Sequence, residues 1–410
     1  MSPKHAARRR RFPTRTLAVL FVGGAVTAAL VLPANHRDLS APSAIQSEPA
    51  APSATPTRLA PDVSSTPLPG MPAPLDPVDI YAADRPNMLS PVVRGDRRLV
   101  YVPNNGSNTV SVIDPATYRV LRTVKVPASP QHVVPSWDLR TLWVNSDQGN
   151  ALTPIDPRTG TFGKPVYVHD PYNLYFTPDG RYAVVMAEAD HQIVFRDPHT
   201  MAIRHTLAVP CSGVNHTDFS ADGRYMIVSC EFSGDLLKID VEKQRIIAEL
   251  HLPDHGGMPM PQDVKVSPDG RTWYVADMDS AGVWVLDGDT FTTPHLLHTG
   301  LGAHGLYVSR DSRYLYVTNR GEGSISVVSF ADQKVVATWR IPGGGSPDMG
   351  GISADGTTLW LSGRYNRVVY AISTANGRLI RKIAVGTQPH GLCVWPQPGR
   401  YSLGHTGILR

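Results

Sequence analysis

The 410 residues are 41% hydrophobic and include 35 glycines and 37 prolines, so the chain can bury a large core and contains many turns, which disfavours an all-helical fold. Six of the 39 basic residues lie within residues 1–16, and the remaining 33 face 35 acidic residues, which leaves the rest of the chain near −2. That balance provides no basic surface for DNA or RNA, so nucleic acid is not a favoured partner.

The first 34 residues have the features of an export sequence. Residues 17–32 are uncharged over sixteen positions, which is long for the apolar region of a signal peptide and short for a membrane span. Arg9-Arg10-Arg11-Phe12 fits a loose twin-arginine pattern, although a run of arginines matches such patterns by chance. We predict that residues 1–34 are either a cleaved signal peptide or an uncleaved membrane anchor. In both cases the remaining chain is extracytoplasmic, and it contacts the membrane only through this segment.

Residues 35–85 are rich in proline, alanine and serine. Such a composition buries too little apolar area to offset the entropy of ordering the chain. We therefore predict a disordered tether over residues 35–85, followed by one folded domain over residues 86–410.

A turn motif of the form Ser/Thr-x-Asp-Gly-Arg recurs along the predicted domain. Full copies begin at Thr177, Ser220 and Ser267, near copies begin at Ser309, with Ser312 in place of glycine, and at Ser353, with Thr357 in place of arginine, and weaker copies begin at Arg94, Ser136 and Trp395. Successive copies lie 41 to 47 residues apart, which is the period of four-stranded propeller blades. The Asp-Gly pair supplies the positive φ that a tight hairpin needs, and a strand follows each turn.

Seven sets of strands are complete, while the pattern of the innermost strand occurs eight times and is present at both ends of the array. A ring must close to remove its exposed sheet edges, so we predict that residues 390–395 complete the blade begun by residues 97–126. The predicted fold is all-β: a seven-bladed β-propeller of four-stranded blades, with the ring closed by the C-terminal strand. An eighth, degenerate blade is the alternative.

Three short motifs link this repeat to a known family. Tyr316-Val317-Thr318-Asn319 is the signature of the YVTN family of β-propellers, Tyr101-Val102-Pro103-Asn104 is a near copy, and Pro389-His390-Gly391-Leu392 fits the same repeat. Residues 88–395 thus resemble the YVTN family, and in particular its YncE-like group of exported propellers. The pattern is also distantly similar to the propellers of cytochrome cd1 nitrite reductase, nitrous oxide reductase and lactonases. The resemblance implies the fold but not the activity, because these relatives bind different ligands on one scaffold.

Polar residues are expected to surround one end of the central channel, which we call the top face. In a propeller the innermost strand starts on the face where the second strand ends, so residues at both places converge. The starts of the inner strands supply His132, Asn173, His216, Asp263, His304, Asp348 and His390. The ends of the second strands supply Asn104, Asn145, Glu188, Glu231, Asp277, Arg320 and Arg364.

This sorting of charges predicts a binding site for a small polar or anionic ligand. Arginine forks can hold a carboxylate or phosphate, while carboxylates on the other side accept hydrogen bonds. The alternative is that these strand ends are polar only because they face water, as in any propeller.

Two groups of residues are candidate metal ligands. His216, His304 and His390 lie on the predicted top face, although the four histidines at inner-strand starts occupy two registers and need not all reach one point. The second group is His255-Gly-Gly-Met258-Pro-Met260, whose imidazole and two thioethers suit Cu(I). Its alternative is a flexible loop whose methionines pack on the blade.

Only three cysteines occur. Cys211 and Cys230 are both expected at the top-face end of one blade, so a disulfide is possible in an oxidising compartment. Cys393 lies within an inner strand and is predicted to be a buried apolar residue.

No nucleophile elbow, phosphate loop or His-Glu-x-x-His motif occurs in the sequence. The favoured function is therefore a binding module that uses its top face to hold a small polar or anionic ligand or an extracytoplasmic protein. The alternative is a metal-dependent enzyme or metal carrier, with copper in an oxidative site or Ca²⁺ in a lactonase-like site.

Overall fold

A computed structural model describes residues 66–405 and 407–410. Within them the strands form seven antiparallel sheets. The inner strands of successive sheets contact one another, and the last sheet returns to the first, so the sheets are the blades of a closed ring. The prediction of an all-β, seven-bladed propeller is confirmed.

The blades are numbered along the chain, and the strands of each blade are given from the channel outward. Blade 1 comprises Cys393–Trp395, Leu99–Asn104, Thr109–Asp114 and Arg119–Lys125, and blade 2 comprises Pro130–Pro135, Leu142–Ser146, Ala151–Asp156 and an outer strand split into Thr161–Phe162 and Val166–Tyr167. Blade 3 comprises Asn173–Phe176, Ala183–Ala187, Gln192–Arg196 and Ile203–Ala208, and blade 4 comprises Val214–Phe219, Tyr225–Cys230, Asp235–Asp240 and Arg245–His251. Blade 5 comprises Pro261–Val266, Thr272–Asp277, Gly282–Asp287 and His295–His298, and blade 6 comprises Ala303–Val308, Tyr314–Asn319, Ser324–Ser329 and Lys334–Arg340. Blade 7 comprises Pro347–Ile352, Thr358–Gly363, Val368–Ser373 and Leu379–Ala384.

Helical structure in the described ranges is limited to three short 3₁₀ turns, Ala82–Asp84, Pro91–Val93 and Asn105–Ser107. None of the described residues forms a helix with the length and hydropathy of a membrane span. Residues 1–65, which include the predicted export sequence and most of the predicted tether, lie outside the described residues.

The repeated Asp-Gly motif forms the hairpin between the first and second strands, as predicted. Gly180 and Gly270 have φ values of +69° and +77°, and in blade 6 Ser312 takes the same position with φ 58°. The hydroxyl that starts each motif donates to the aspartate two residues later, as in Ser267 to Asp269 at 2.5 Å. The motif is therefore a self-contained turn that repeats because each hairpin needs the same geometry.

The ring closes as predicted. Cys393–Trp395 pairs with the strand Leu99–Asn104, so the inner strand of blade 1 comes from the far end of the array. Cys393 and Trp395 are buried with Tyr101 and Val144 between blades 1 and 2, so the closing strand also fills the interface between these two blades. This pairing covers the inner edge of Leu99–Asn104, so blade 1 has four strands like the other blades.

Residues 66–85 pack on the face of the ring opposite the top face, although the sequence analysis placed them in the tether. Leu68 and Tyr81 are buried, and the Tyr81 hydroxyl donates to the carbonyl oxygen of Val266 at 2.9 Å. The backbone N–H of Ile80 also donates to the carbonyl of Pro268. The few apolar residues of this stretch are enough to dock it, because they enter grooves already formed by the blades.

The chain continues beyond the closing strand into the channel, which the sequence analysis did not foresee. Ser402–Gly404 and Ile408–Leu409 extend the sheet of blade 3 on its inner edge, with Gly404 opposite Tyr175. We call residues 396–405 and 407–410 the plug segment. Gly404 has φ +100°, and a Cβ there would lie 2.4 Å from the Tyr175 Cα, so only glycine permits this approach.

A buried ion pair holds the plug segment to blade 4. The Arg410 guanidinium lies 3.0 Å from Asp218 Oδ1, and both side chains are almost fully buried. Asp218 also accepts hydrogen bonds from the backbone N–H groups of Phe219 and Val266. The lower part of the channel is therefore filled by protein.

Candidate metal and ligand site in the central channel

β-Bulges explain how residues in two registers reach the same space. The pairing of the inner strand with the second strand shifts at the start of the inner strand in five blades, for example between Val214 and His216 and between Ala303 and Leu306. A bulge re-aims the side chains beside it, so neighbouring positions can face one centre. The channel residues are His132, Asn173, His216, Asp263, His304, Asp348 and His390, all of them buried.

The structure thus brings the predicted inner-strand residues together, but inside the channel rather than on an exposed face. His132 is central to the group: its ring centroid lies 4.8 Å from that of His390 and 5.8 Å from that of His216. Gly391 makes this packing possible, because a Cβ at that position would lie 2.1 Å from His132 Cδ2. Burial at this depth argues against the interpretation that these residues are polar only because they face water.

The sequence analysis missed a fifth histidine, His405, which the plug segment carries into the channel. Its ring centroid is 5.1 Å from those of His132 and His216. It also stacks on Tyr175 at 5.8 Å with an interplanar angle of 16°. The signal available in the sequence was the apolar stretch after the closing strand, with Leu403 and Ile408, which had to be buried somewhere.

His132, His216 and His405 form the first group of potential metal ligands. One ring nitrogen from each residue lies within 4.8 Å of the others. Among the described residues, no hydrogen-bond partner is present for the Nε2 atom of any of the three, and each of these atoms is buried. Leaving buried polar atoms unpaired is costly, so this arrangement fits a ligand that completes it.

The hydrogen bonding of His132 assigns its tautomer. Its Nδ1 lies 3.0 Å from the carbonyl oxygen of Tyr172, and a carbonyl can only accept, so Nδ1 carries the proton. Burial lowers the pKa of His132 to about 3, so the ring is neutral and Nε2 presents a lone pair to the channel. A histidine whose Nδ1–H is held by a backbone carbonyl is a typical metal ligand.

Asn173 orients the other two rings of this group. Its Nδ2 lies 3.2 Å from Nδ1 of His216 and 3.1 Å from Nδ1 of His405, and its Oδ1 accepts from the backbone N–H of Leu174. Burial lowers the pKa of both histidines well below the usual value, so both rings are neutral. Asn173, predicted as a ligand-binding residue, thus positions the histidines.

Asp263 is close to the first group but mostly engaged elsewhere. Its carboxylate accepts from the backbone N–H groups of Val264 at 3.0 Å and Leu306 at 2.9 Å, and its Oδ1 lies 3.8 Å from His405 Nε2. Burial raises the pKa of Asp263 to about 6. Its main role is to join blades 5 and 6.

His304, Asp348 and His390 form a second group on the opposite side of the channel, and their candidate ligand atoms also lie within 4.8 Å of one another. Asp348 Oδ1 is 3.2 Å from His304 Nδ1 and Oδ2 is 3.7 Å from His390 Nε2. Arg320 also contacts Asp348 Oδ1 through Nη1, at 3.2 Å. Burial lowers the pKa of both histidines well below the usual value and raises that of Asp348.

The mouth of the channel has an acidic side. Asn215 donates to Glu188 at 3.2 Å and to Glu231 at 2.7 Å. Burial, with the nearby Glu231 as the next contribution, raises the pKa of Glu188 to about 8, and burial also raises that of Glu231. Glu188 therefore carries a proton at neutral pH.

Two of the predicted second-strand residues, Asp277 and Asn104, are held by contacts within their own blades. Asp277 is fully buried and accepts from the indole N–H of Trp284 at 2.8 Å and from three backbone N–H groups. Asn104 similarly donates to Ser111 within its own blade. The strand boundaries show that the alignment was one residue early at Asp277 and Asn104 and two residues early at Asn145. The equivalent residues are Asn105, Asp147 and Met278.

His255, Met258 and Met260 lie on a loop that precedes the inner strand of blade 5. The His255 ring lies 5.3 Å from the Trp284 ring, whereas the Met258 side chain is half-exposed. Met260 is held through its backbone, which accepts from Met278 N–H and donates to Asp277. The alternative interpretation, a surface loop packed on its blade, describes this segment better.

The disulfide between Cys211 and Cys230 is present, and Cys393 is a free, buried residue. The disulfide links the segment that leads into the inner strand of blade 4 with the end of the second strand of that blade. It therefore fixes the backbone beside Glu231 and, through Val214, beside Asn215.

Comparison with known proteins agrees with this architecture. The chain is 22% identical over 263 residues to the uncharacterized protein YncE of Salmonella typhi, which covers 61% of this chain and 73% of that protein. Its fold is similar to hydrazine synthase of Kuenenia stuttgartiensis, with a TM-score of 0.59, 17% identity and coverage of 69% of this chain and 94% of the other. A putative 6-phosphogluconolactonase of Bacteroides uniformis gives a TM-score of 0.55, 17% identity and coverage of 72% and 98%. A model of the YncE-like β-propellers matches residues 92–398, and the chain therefore belongs to that family.

Proposed function

We propose that this propeller is an extracytoplasmic binding module whose ligand is a transition-metal ion, held in the central channel by His132, His216 and His405. The observation that carries the proposal is the convergence of three neutral, buried imidazoles, each with an Nε2 atom that no described residue satisfies. In this proposal His132 binds through Nε2. Because the Asn173 amide donates to Nδ1 of His216 and of His405, each of these two rings carries its proton on Nε2 in the metal-free protein, so binding of the ion displaces either that proton or the Asn173 hydrogen bond.

The donor set narrows the choice of metal. Imidazole nitrogen suits Zn²⁺, Cu²⁺, Fe²⁺ and Ni²⁺, whereas Ca²⁺ prefers six to eight oxygen ligands. The nearest carboxylate, Asp263, already accepts two backbone hydrogen bonds. A lactonase-like Ca²⁺ site therefore finds little support, while a site for a copper-like or zinc-like ion does.

The site is compatible with either storage or chemistry. Three imidazoles leave at least one coordination position open on a four-coordinate ion, as catalytic zinc sites do. The ion would sit above the plug segment, so small molecules would reach it from the top face. A metal-dependent enzyme thus remains the second form of the same proposal.

An extracytoplasmic location is part of the proposal. It rests on the basic and apolar character of residues 1–34 and on the disulfide between Cys211 and Cys230, which is typical of oxidising compartments. Protease treatment of intact and lysed cells tests it. Degradation of the protein by protease added to intact cells supports the location. Protection of the protein in intact cells, with degradation only after lysis, contradicts it.

Metal binding is tested with protein purified without chelator. Metal content is measured first, and Zn²⁺, Cu²⁺ and Co²⁺ are then titrated into the metal-free protein. We expect one tight site per chain, and we expect His132→Ala and His405→Ala each to weaken it by about tenfold or more, the loss seen when metal-site residues are removed.

The matched controls are His199→Ala and His298→Ala, which change exposed histidines far from the channel. Circular dichroism and thermal unfolding confirm that each variant is folded. Equal metal affinity in the channel variants and in these controls would refute the proposal.

A further inference from the structure

The second channel group, His304, Asp348 and His390, has the donor types of a metal site, but its charges oppose a cation. Two guanidinium groups, those of Arg320 and Arg364, lie beside a single carboxylate. Arg320 pairs with Asp348 at 3.2 Å, and the side chain of Arg320 is only 10% exposed. Arg364 follows the second strand of blade 7 as Arg320 follows that of blade 6, and after burial as the main cause the charges of both arginines lower the pKa of His304 and His390. Both rings are neutral, so the group carries a net positive charge.

Arg364, which follows the second strand of blade 7, has a hydrogen-bond donor that no described residue uses. Its Nη1 atom is buried and finds no acceptor among the residues that the structure describes. In the same part of the channel, His390 Nδ1 and Asp348 Oδ2 are buried and also lack a described hydrogen-bond partner. His390 is 1% exposed, so solvent does not satisfy its ring.

Arg320 is held by contacts with neighbouring residues, whereas Arg364 has a nitrogen that is free to bind a ligand. Arg320 contacts Asp348 with one nitrogen and Met278 Sδ with the other, and its guanidinium lies 5.6 Å from the centre of the Tyr365 ring. These contacts neutralise Asp348 and hold its carboxylate in place. Among the described residues no carboxylate forms an ion pair with Arg364, although its charge acts on Asp348 and Glu231 from a longer distance.

We infer that Arg364, with the imidazoles of His304 and His390, forms a binding site for a small carboxylate or similar oxyanion beside the channel metal. The planar guanidinium fork matches a carboxylate in shape and charge, and a neutral imidazole can donate its N–H to the second oxygen. The inference deepens the proposed function, because the anion would lie next to the three-histidine site. A bound cation at that site would strengthen anion binding.

The other side of the mouth carries a reduced negative charge. Glu188 and Glu231 share the Asn215 amide on blades 3 and 4, and the charges of Arg320 and Arg364 act on Glu231. Burial raises the pKa of Glu188 to about 8, so its negative charge is suppressed at neutral pH. These groups instead offer hydrogen bonds to a polar substituent on the anion.

The experiment is calorimetric titration of acetate into metal-free and metal-loaded protein, with acetamide as an uncharged ligand of the same shape. We expect one acetate site per chain and no measurable binding of acetamide. Arg364→Ala should weaken acetate binding by about tenfold or more, as expected for loss of a charge-assisted hydrogen bond. Arg367→Ala, which changes an exposed neighbour, should leave it unchanged.

The outcomes separate this inference from the proposed function. Acetate binding to a chain that takes up no metal, with the same Arg364 dependence, would support the anion site and refute the metal site. Metal binding with no acetate site, or equal affinities in Arg364→Ala and Arg367→Ala, would overturn the anion site. Two metal ions per chain, with the second lost in Asp348→Asn, would also overturn it, because His304, Asp348 and His390 would then hold a cation.

Discussion

Acidification from about pH 7.5 to about pH 5.5 should destabilise the metal-free fold, because five buried histidines stay neutral in it. Burial holds the pKa of His132 at about 3 and those of His216, His304, His390 and His405 well below 6.5. In the unfolded chain each histidine binds a proton as the pH falls through 6.5. The unfolded state therefore gains protons that the folded state does not, and stability falls with pH.

The size of the effect follows from proton linkage. Over this interval a histidine that stays neutral in the folded state costs at most about 1.4 kcal/mol, so the five together cost at most about 7 kcal/mol. Two acids act in the opposite direction, because the folded state holds their protons more tightly than the unfolded state does. With pKa values of about 8 for Glu188 and about 6 for Asp263, these two acids offset about 3 kcal/mol of the loss of stability. The raised pKa values of Asp348 and Glu231 reduce the loss further, so the net loss should stay below about 4 kcal/mol.

Urea unfolding in the presence of a chelator measures this difference. Glu188→Gln removes the largest opposing contribution, so acidification should cost this variant about 2 kcal/mol more than it costs the unchanged protein. Glu249→Gln, on an exposed outer strand, is the matched control and should follow the unchanged protein. Stability that stays constant or rises between pH 7.5 and 5.5 in the variant would show that the channel histidines are not buried in the neutral form.

Three further changes test the closure and the packing of the channel. Deletion of residues 388–410 removes the inner strand of blade 1 and the plug segment, so we expect aggregation or loss of cooperative unfolding, and a soluble truncation of equal stability would contradict the closure. Gly391→Ala should displace the His132 ring and weaken metal binding by about tenfold, while Gly95→Ala, which has open space around it, should not; titration of both variants decides this. Arg410→Met leaves the Asp218 carboxylate buried without its partner, so thermal unfolding should show a loss of about 3 kcal/mol, and a neutral effect would mean that water reaches Asp218.

The sequence was most informative where every blade needs the same local geometry. The Asp-Gly turns need a positive φ, and the closing strand is required to cover an edge, so the number of blades and the closure could both be predicted. The place of His132, His216, His304 and His390 at the channel could also be predicted from the repeat, but their two registers left open whether all four reach one point.

The errors arose where position within the repeat does not determine the environment. A shift of one residue moved the prediction from Met278 to Asp277, and alternate residues of a strand face opposite sides of the sheet. His405 and the packing of residues 66–85 were missed because both segments lie outside the repeat, and their docking depends on surfaces that exist only after the blades assemble.

X-ray absorption spectroscopy of the metal-loaded protein tests the central claim most directly, because it identifies the atoms bound to the ion. The account predicts about three imidazole nitrogens at about 2.0–2.1 Å from a bound Zn²⁺, with the number reduced by His405→Ala. A first shell made of sulfur, or one of oxygen alone without imidazole scattering, would contradict a metal site formed by His132, His216 and His405.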